Sequence, residues 1–105
     1  MSSAAKADAD LDEQAYYFAS KASPEFGHRF LLAAHETFRL LATQPEMGWQ
    51  ARLKNPVLAA LRVFRVTGFE KMLVLYRPRP HGVEILRVIH GSRNVGALLR
   101  REGVE

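Results

Sequence analysis

The chain has 105 residues, a formal net charge of +4 and no cysteine, so it is long enough for one domain with its own core and has neither disulfides nor a Cys-based zinc site. It contains no apolar run long enough to cross a membrane and no signal-peptide layout at its N-terminus, so we expect a single domain over residues 1–105 that resides in the cytoplasm without membrane contact. The charge is unequally divided, because residues 1–50 carry −3 and residues 51–105 carry +7, and the basic half is expected to face an anionic partner.

Two amphipathic helices are predicted in the first half of the chain. The first covers about residues 3–21, with Ser2 or Ser3 as its N-cap, and the second covers about residues 24–43, with Ser23 as its N-cap. Because the connection between them is short, the helices are expected to form an antiparallel hairpin. Their apolar positions recur at spacings of three and four: Leu11, Ala15, Phe18 and Ala22, then Phe26, Phe30, Ala33, Ala34, Thr37 and Leu41.

Strand patterns replace the helical pattern in the second half. After a loop region at 44–60, three strands are predicted at 61–66, 71–76 and 83–89. Short connections allow only antiparallel neighbours, and the middle strand, apolar on both faces, is the expected centre of the sheet. A short helix is predicted at about 94–100. The sequence therefore predicts an α+β fold in which the helical hairpin packs on a three-stranded antiparallel sheet with a short C-terminal helix.

Neither a metal site nor a cofactor site is predicted. His28 and His35 lie two helical turns apart, about 10 Å along the axis, which is too far for one ion. Phosphate-binding loops and dinucleotide fingerprints are missing from the sequence. Four acids at the start of the first helix are interpreted as a solvated face that matches the helix dipole, rather than as catalytic carboxylates: Asp8, Asp10, Asp12 and Glu13.

The strand half holds the remaining candidates for chemistry, and all of them are basic: Arg62, Arg65, Lys71, Arg77, Arg87, His90 and Arg93. Alternation along a strand is expected to place Arg62 and Arg65 on opposite faces, and Arg87 and His90 likewise. Metal-free RNA cleavage needs a general base, a general acid and cations around the phosphate. His90 can supply one of the proton transfers, but no second proton-transfer group is evident. We favour the interpretation of His90 as a strand-end residue whose ring bonds to backbone groups.

Five segments, taken in order, carry a resemblance to a known family. They cover residues 10–13, 38–48, 61–66, 76–78 and 83–93. The second has the pattern T-F-x-x-L-A-x-x-P-x-x-G, in which Phe38 stands second, and the last ends in I-L-R-V-x-H-G-x-R. Together they resemble the ParE toxins of the RelE/ParE superfamily over roughly residues 8–99.

The resemblance implies a toxin of a type II toxin–antitoxin module, held inactive by a ParD-like antitoxin whose C-terminal segment wraps around it. Characterised ParE proteins poison DNA gyrase and are not nucleases. The resemblance also implies a higher-order toxin–antitoxin hetero-oligomer, and we expect no sequence-specific DNA binding by this chain alone. The expected partner contacts are four arginines of the basic half: Arg65, Arg77, Arg87 and Arg93.

Two alternatives remain open at the level of sequence. RelE relatives share the fold but cleave ribosome-bound mRNA, and the corresponding site here would comprise Arg65, Arg87, His90 and Arg93. Residues 94–99 offer no side chain that transfers a proton well, which favours the ParE interpretation. The third possibility is a detoxified member that persists only as an antitoxin-binding scaffold.

The N-terminus departs from the family pattern. ParE proteins usually open with a short β-strand, whereas only Met1, Ser2 and Ser3 precede the first predicted helix here. The first strand is therefore expected to be missing from this sequence, either because it is truly absent or because the start codon was assigned too far downstream, and we hypothesise the second. A missing strand would leave one sheet edge open to the antitoxin or to a second copy.

Overall fold

The structure, a computed structural model, describes residues 2–51 and 60–91. Its elements in chain order are β1 (Ser2–Ser3), α1 (Ala5–Lys21), α2 (Pro24–Thr43), β2 (Trp49–Gln50), β3 (Arg62–Val66), β4 (Phe69–Arg79) and β5 (Gly82–His90). The strands form one five-stranded sheet in the order β1-β5-β4-β3-β2. Both helices pack on one face of this sheet. The predicted α+β class is confirmed.

The sheet is larger than the predicted three-stranded meander. Strands β3, β4 and β5 are the three predicted strands, but each edge carries a further two-residue strand. At one edge, Ser2–Ser3 pairs in parallel with β5, so the expectation that the first strand is missing is wrong. At the other edge, Trp49–Gln50 pairs antiparallel with β3 inside the predicted loop region. Sequence analysis missed these two edge strands because their side chains are exposed and a pair of residues shows no alternation. The strands are defined by their backbone pairing alone.

The connections between the longer strands are tight. The predicted turn at 67–68 is confirmed, and Gly68 has a φ of 84°, which a residue with a Cβ rarely adopts. The second predicted turn, at 78–82, is shorter than expected because Pro78 and Arg79 belong to β4. Proline is tolerated at this position because β3 pairs with β4 only as far as Tyr76, so no partner strand on that side requires an N–H group.

The helix boundaries confirm one predicted cap and correct the other. The hydroxyl of Ser23 accepts a hydrogen bond from the Phe26 amide at 3.1 Å, as predicted. At the start of α1 the N-cap residue is Ala4, which makes no side-chain cap. The Ser3 hydroxyl instead donates to the Asp8 carboxylate at 2.8 Å. Ser3 cannot cap the helix because it is already part of the edge strand β1.

The two helices pack closely and form the predicted hairpin. A Cβ at Gly27 would lie 2.6 Å from the Ala15 carbonyl oxygen, so only glycine allows the helices to approach this closely. Between the helices and the sheet lies an aromatic cluster, with ring centroids 5.1 to 5.6 Å apart between Phe18 and its neighbours Phe26, Phe30 and Phe69. The other buried residues of this core include Leu11, Ala34, Phe38, Leu41, Met72, Val74, Tyr76 and Ile85.

The face of the sheet that points away from the helices, here called the outer face, has a second and smaller core. Leu61, Val63 and Leu75 are buried there, with Leu73 and Leu86 packed against them. Strand β4 is therefore buried on both faces, which confirms its predicted central position. The predicted helix at 94–100, the segment 52–59 and Arg93 lie outside the described residues. Within the described part of the chain, no helix is long and apolar enough to cross a membrane.

Candidate partner-binding surfaces

Asp10 joins α1 to β5. One of its carboxylate oxygens accepts hydrogen bonds from Arg87 Nε at 2.7 Å and from the Val88 amide at 2.9 Å, while the other accepts from Arg87 Nη2 at 3.0 Å. The side chains of Asp10 and Arg87 are only 14% and 12% exposed. The interpretation of the acidic cluster as a solvated face is therefore wrong for Asp10. The guanidinium of Arg87 is largely occupied in holding the fold together.

Arg87 and His90 both lie beside α1, although their backbone positions face opposite sides of the sheet. Arg87 is paired with Leu75, which belongs to the core of the outer face, whereas His90 is paired with Met72, which belongs to the core on the helix side. The pairing is regular between these positions, and the β-bulge in β5 precedes Arg87, so the opposition predicted for Arg87 and His90 is seen. At the sheet edge the Arg87 side chain reaches Asp10, and both residues line one groove together with His90.

A cavity of about 360 Å³ lies beside this contact, between α1 on one side and the start of β4 and the end of β5 on the other. We call it the α1 groove. Its lining is mostly apolar, and Tyr17 on its rim is 52% exposed. A concave apolar surface with a polar rim suits an amphipathic segment better than a small polar ligand. The groove is lined by Gln14, Tyr17, Phe18, Phe69, Glu70, Lys71, Met72 and His90.

On the outer face, Arg65 and Trp49 form an exposed pair. The guanidinium carbon of Arg65 lies 5.0 Å from the centre of the Trp49 ring, within the range of a cation–π contact. Trp49 is paired with Val63, and Arg65 with Leu73, which places both on the face opposite to the helices. Trp49 is 44% exposed although it is the largest apolar side chain in the chain. The pair stands on the edge strand β2 and its neighbour β3.

The loop that leads into β2 is held by side chains from the sheet. The Tyr76 hydroxyl donates to the Pro45 carbonyl at 2.7 Å and accepts from the Gly48 amide at 2.9 Å. Arg62 Nη1 donates to the Gly48 carbonyl at 2.7 Å. Burial raises the pKa of Tyr76 above its ordinary value, so the hydroxyl stays protonated and keeps both bonds. The P-x-x-G pattern of the sequence thus forms a loop, anchored by these hydrogen bonds, that fixes the position of Trp49 at the start of β2.

A second group of cations lies at the hairpin between β4 and β5. Arg77 and Arg79 both donate to the same oxygen of Glu84, at 2.6 Å and 3.0 Å. The hydrogen bond from Arg77 lowers the pKa of Glu84, and the charges of both guanidiniums act in the same direction. One carboxylate between two arginines leaves a net positive charge at this end of the outer face.

The structure does not bring the predicted site residues together. Arg65 and Arg77 lie on the outer face, whereas the side chains of Arg87 and His90 line a groove at the sheet edge beside α1. The opposition predicted for Arg62 and Arg65 is seen, because Arg62 is paired with Tyr76 on the helix side and reaches the loop.

Sequence reasoning missed three residues that define these surfaces: Asp10, Tyr17 and Trp49. The family-like segment at 10–13 was the available signal for Asp10. Exposed aromatic residues carry no such signal, because a sequence does not report exposure. Among the described residues, no group of three or more His, Cys, Asp or Glu side chains is placed to hold a metal ion.

Comparison with known proteins adds a family and a fold. The model of the family described as ParE toxin of type II toxin-antitoxin system, parDE, matches residues 3–95. A solved structure, the chromosomal ParDE TA system from P. aeruginosa, contains a similar chain with 21% sequence identity and a TM-score of 0.68. The alignment covers 86% of this chain and 95% of that chain, and at this identity the likeness concerns the fold alone. No curated protein matches the sequence.

Proposed function

Because the chain belongs to the family of ParE toxins of type II toxin–antitoxin systems, we propose that it arrests growth by binding DNA gyrase and is neutralised by a ParD-like antitoxin. Gyrase is the target that the family resemblance implies, and the antitoxin is the partner implied both by the family and by the ParDE title of the similar structure. The proposal includes a hetero-oligomer with the antitoxin and no sequence-specific DNA contact by this chain alone.

One observation favours binding over RNA cleavage. Cleavage without a metal requires a proton-transfer group and cations around a single phosphate. Arg65 lies on the outer face of the sheet and His90 on the helix side, so these two side chains cannot contact the same phosphate. Arg87, which lines a groove together with His90, is bound to Asp10. Three of the four residues required by the RelE-like alternative therefore do not converge.

The antitoxin is expected to occupy the α1 groove. The cavity is open, mostly apolar and of a size that accepts a few side chains of an amphipathic helix. Acidic residues of such a segment would meet cations of the strand half, with Lys71 on the rim of the groove as the first contact.

A gyrase assay tests the proposed target. Purified protein is added to gyrase and relaxed DNA, with and without the product of the neighbouring small acidic gene. We expect loss of supercoiling and gyrase-linked DNA breaks that the antitoxin prevents. Ribosome-dependent mRNA cuts with intact supercoiling would establish the RelE-like alternative instead. Expression without growth arrest, together with tight antitoxin binding, would identify a detoxified scaffold.

Adjacent tyrosines provide a matched test of the groove. Tyr17 lines the α1 groove and is 52% exposed, whereas Tyr16 is 76% exposed and lies outside it. We expect Tyr17→Asp to weaken antitoxin binding at least about tenfold in calorimetry, since a buried interface position dominates affinity. Tyr16→Asp adds the same charge one position away and should bind within about twofold of the original protein. Equal affinities for the two variants would place the antitoxin elsewhere.

A further inference from the structure

The exposure of Trp49 needs an explanation that the core does not provide. The side chain is 44% exposed, and Met47, two positions earlier, is 40% exposed. Removing an apolar side chain from water is favourable, so the free protein gains when a partner covers such residues. Neither residue belongs to the buried clusters on the two faces of the sheet.

The fold holds this exposed segment in place. Tyr76 bonds to the residues at both ends of the preceding loop, Pro45 and Gly48, and Arg62 bonds to the Gly48 carbonyl. Trp49 then follows directly in the edge strand β2. A segment fixed by several hydrogen bonds loses little conformational freedom when a partner binds, so more of the contact energy appears as affinity.

The chemistry of the pair identifies the kind of partner. Tryptophan and arginine are among the side chains that most often dominate the energy of protein–protein interfaces. The guanidinium of Arg65 lies over the Trp49 ring, and its N–H groups are able to bind a carboxylate at the same time. The cations of the outer face extend to Arg77 and Arg79. The complementary surface is an acidic protein surface with an apolar side chain beside a carboxylate.

The position of the pair separates it from the α1 groove. The groove lies on the helix side of the sheet, and the Trp49–Arg65 pair lies on the outer face. We infer that the Trp49–Arg65 pair is the contact through which the toxin binds an acidic surface of its target protein, and that the antitoxin segment binds elsewhere, in the α1 groove. The inference rests on the proposed function in two respects, namely that growth arrest results from binding a target protein and that the antitoxin occupies the α1 groove.

The inference predicts that substitutions in the Trp49–Arg65 pair reduce toxicity but leave antitoxin binding unchanged. The variants Trp49→Ala and Arg65→Glu are induced in cells to score growth arrest, and the purified proteins are titrated with the antitoxin. We expect each to need at least about tenfold more protein for the same arrest, as for loss of a dominant contact, while antitoxin affinity stays within about twofold. Trp49→Phe keeps an aromatic face for Arg65 and should retain most of the toxicity.

Matched controls come from the helix side of the molecule. Tyr16→Ala removes an aromatic side chain that is more exposed than Trp49, and Arg39→Glu reverses an exposed charge on α2. Both should arrest growth like the original protein. If the folded Trp49→Ala and Arg65→Glu proteins are as toxic as these controls, the inference is wrong. If both lose antitoxin binding along with toxicity, the outer face belongs to the antitoxin and the inference is equally wrong.

A fluorine label at Trp49 tests the same contact without replacing the tryptophan by a smaller residue. Trp49 is the only tryptophan of the chain, so incorporation of 5-fluorotryptophan places a single fluorine label within the pair. Its ¹⁹F resonance should shift or broaden on addition of gyrase and stay unchanged with the antitoxin. If Trp49→Ala fails to fold, Arg65→Glu and this label decide the question. Failure of the gyrase assay with unmodified protein refutes the proposed target, whereas the growth assay judges the Trp49–Arg65 pair whatever the target is.

Discussion

Asp10 and Arg87 are 77 positions apart in the chain, and their side chains form a bidentate ion pair that joins α1 to β5. The same carboxylate accepts a hydrogen bond from the Val88 amide on β5. Strand β1 pairs with β5 only at Glu84 and Ile85. The bond from the Val88 amide to Asp10 occupies a backbone group farther along the same edge of β5. An edge amide that is bonded to a side chain is not available to an incoming strand. Asp10 therefore both attaches the helix and closes part of the sheet edge.

Removal of this carboxylate should destabilise the protein strongly. Asp10→Ala leaves the poorly exposed Arg87 guanidinium without its partner, and breaking such a pair costs about 3–5 kcal/mol. Asp10→Asn retains an oxygen that can accept from the Val88 amide and should cost less. Urea denaturation measures both, with Asp12→Ala, an exposed acid of the same helix, expected within about 0.5 kcal/mol of the original protein. A similar small loss in Asp10→Ala would contradict the assigned role.

Gly48 is expected to tolerate no side chain. An added Cβ would lie 2.6 Å from the Tyr76 hydroxyl oxygen and 2.6 Å from the Val63 carbonyl oxygen, and the latter belongs to a backbone that cannot move freely. Gly48→Ala should therefore lower the free energy of unfolding by about 1–3 kcal/mol through overpacking. Thermal or urea denaturation detects this, and Met47→Ala at the exposed neighbouring position should cost clearly less. Equal stability of the two variants would show that the loop can relax.

The buried hydroxyl of Tyr76 should make the fold sensitive to alkaline pH. Its pKa is raised in the folded protein, whereas the unfolded chain ionises near its ordinary value of about 10. The stabilisation is therefore fully present below about pH 10 and is lost as the pH rises through the folded pKa. Tyr76→Phe removes this dependence, although it also leaves the Gly48 amide and Pro45 carbonyl without their partner.

Urea midpoints from about pH 8 to about pH 11 test this dependence. The original protein should lose stability more steeply than Tyr76→Phe over the upper part of that range. The exposed Tyr16 serves as the comparison, since Tyr16→Phe should follow the original curve. Parallel curves for the original protein and Tyr76→Phe would refute the prediction.

Glu84 should contribute to stability at neutral pH and lose that contribution in acid. Its pKa is lowered mainly by the hydrogen bond from Arg77, so the folded protein holds the carboxylate in its charged form. The contribution is present above the unfolded pKa, about 4.3, and is lost as the pH falls through the folded pKa. Glu84→Gln should flatten the stability curve between about pH 5 and about pH 3, while Glu36→Gln on the exposed face of α2 should leave its slope unchanged. A Glu84→Gln curve that keeps the original slope would contradict the role of this ion pair.

Much of the architecture follows from local patterns that a sequence displays directly. The two helices, the cap at Ser23, the three long strands and the glycine turn at 67–68 were all predicted correctly within a few residues. Each depends on apolar periodicity or on the conformational preference of a single residue, and both are readable without neighbours in space. The central position of β4 also followed from its sequence, because a strand that is apolar on both faces must be covered on both.

Only the tertiary structure decided which side chains share a surface. The Arg87 side chain reaches Asp10 of α1 at the sheet edge, and a β-bulge lies just before it at Leu86; no periodic pattern predicts either feature. The two edge strands arise from backbone pairing that leaves no trace in side-chain alternation. Asp10, which looks like any acid at a helix start, is partnered by a residue from the other end of the chain. The sequence thus determined the two helices, the three longer strands and the family-like motifs, while the distribution of the cations over separate surfaces required the long-range register of the sheet.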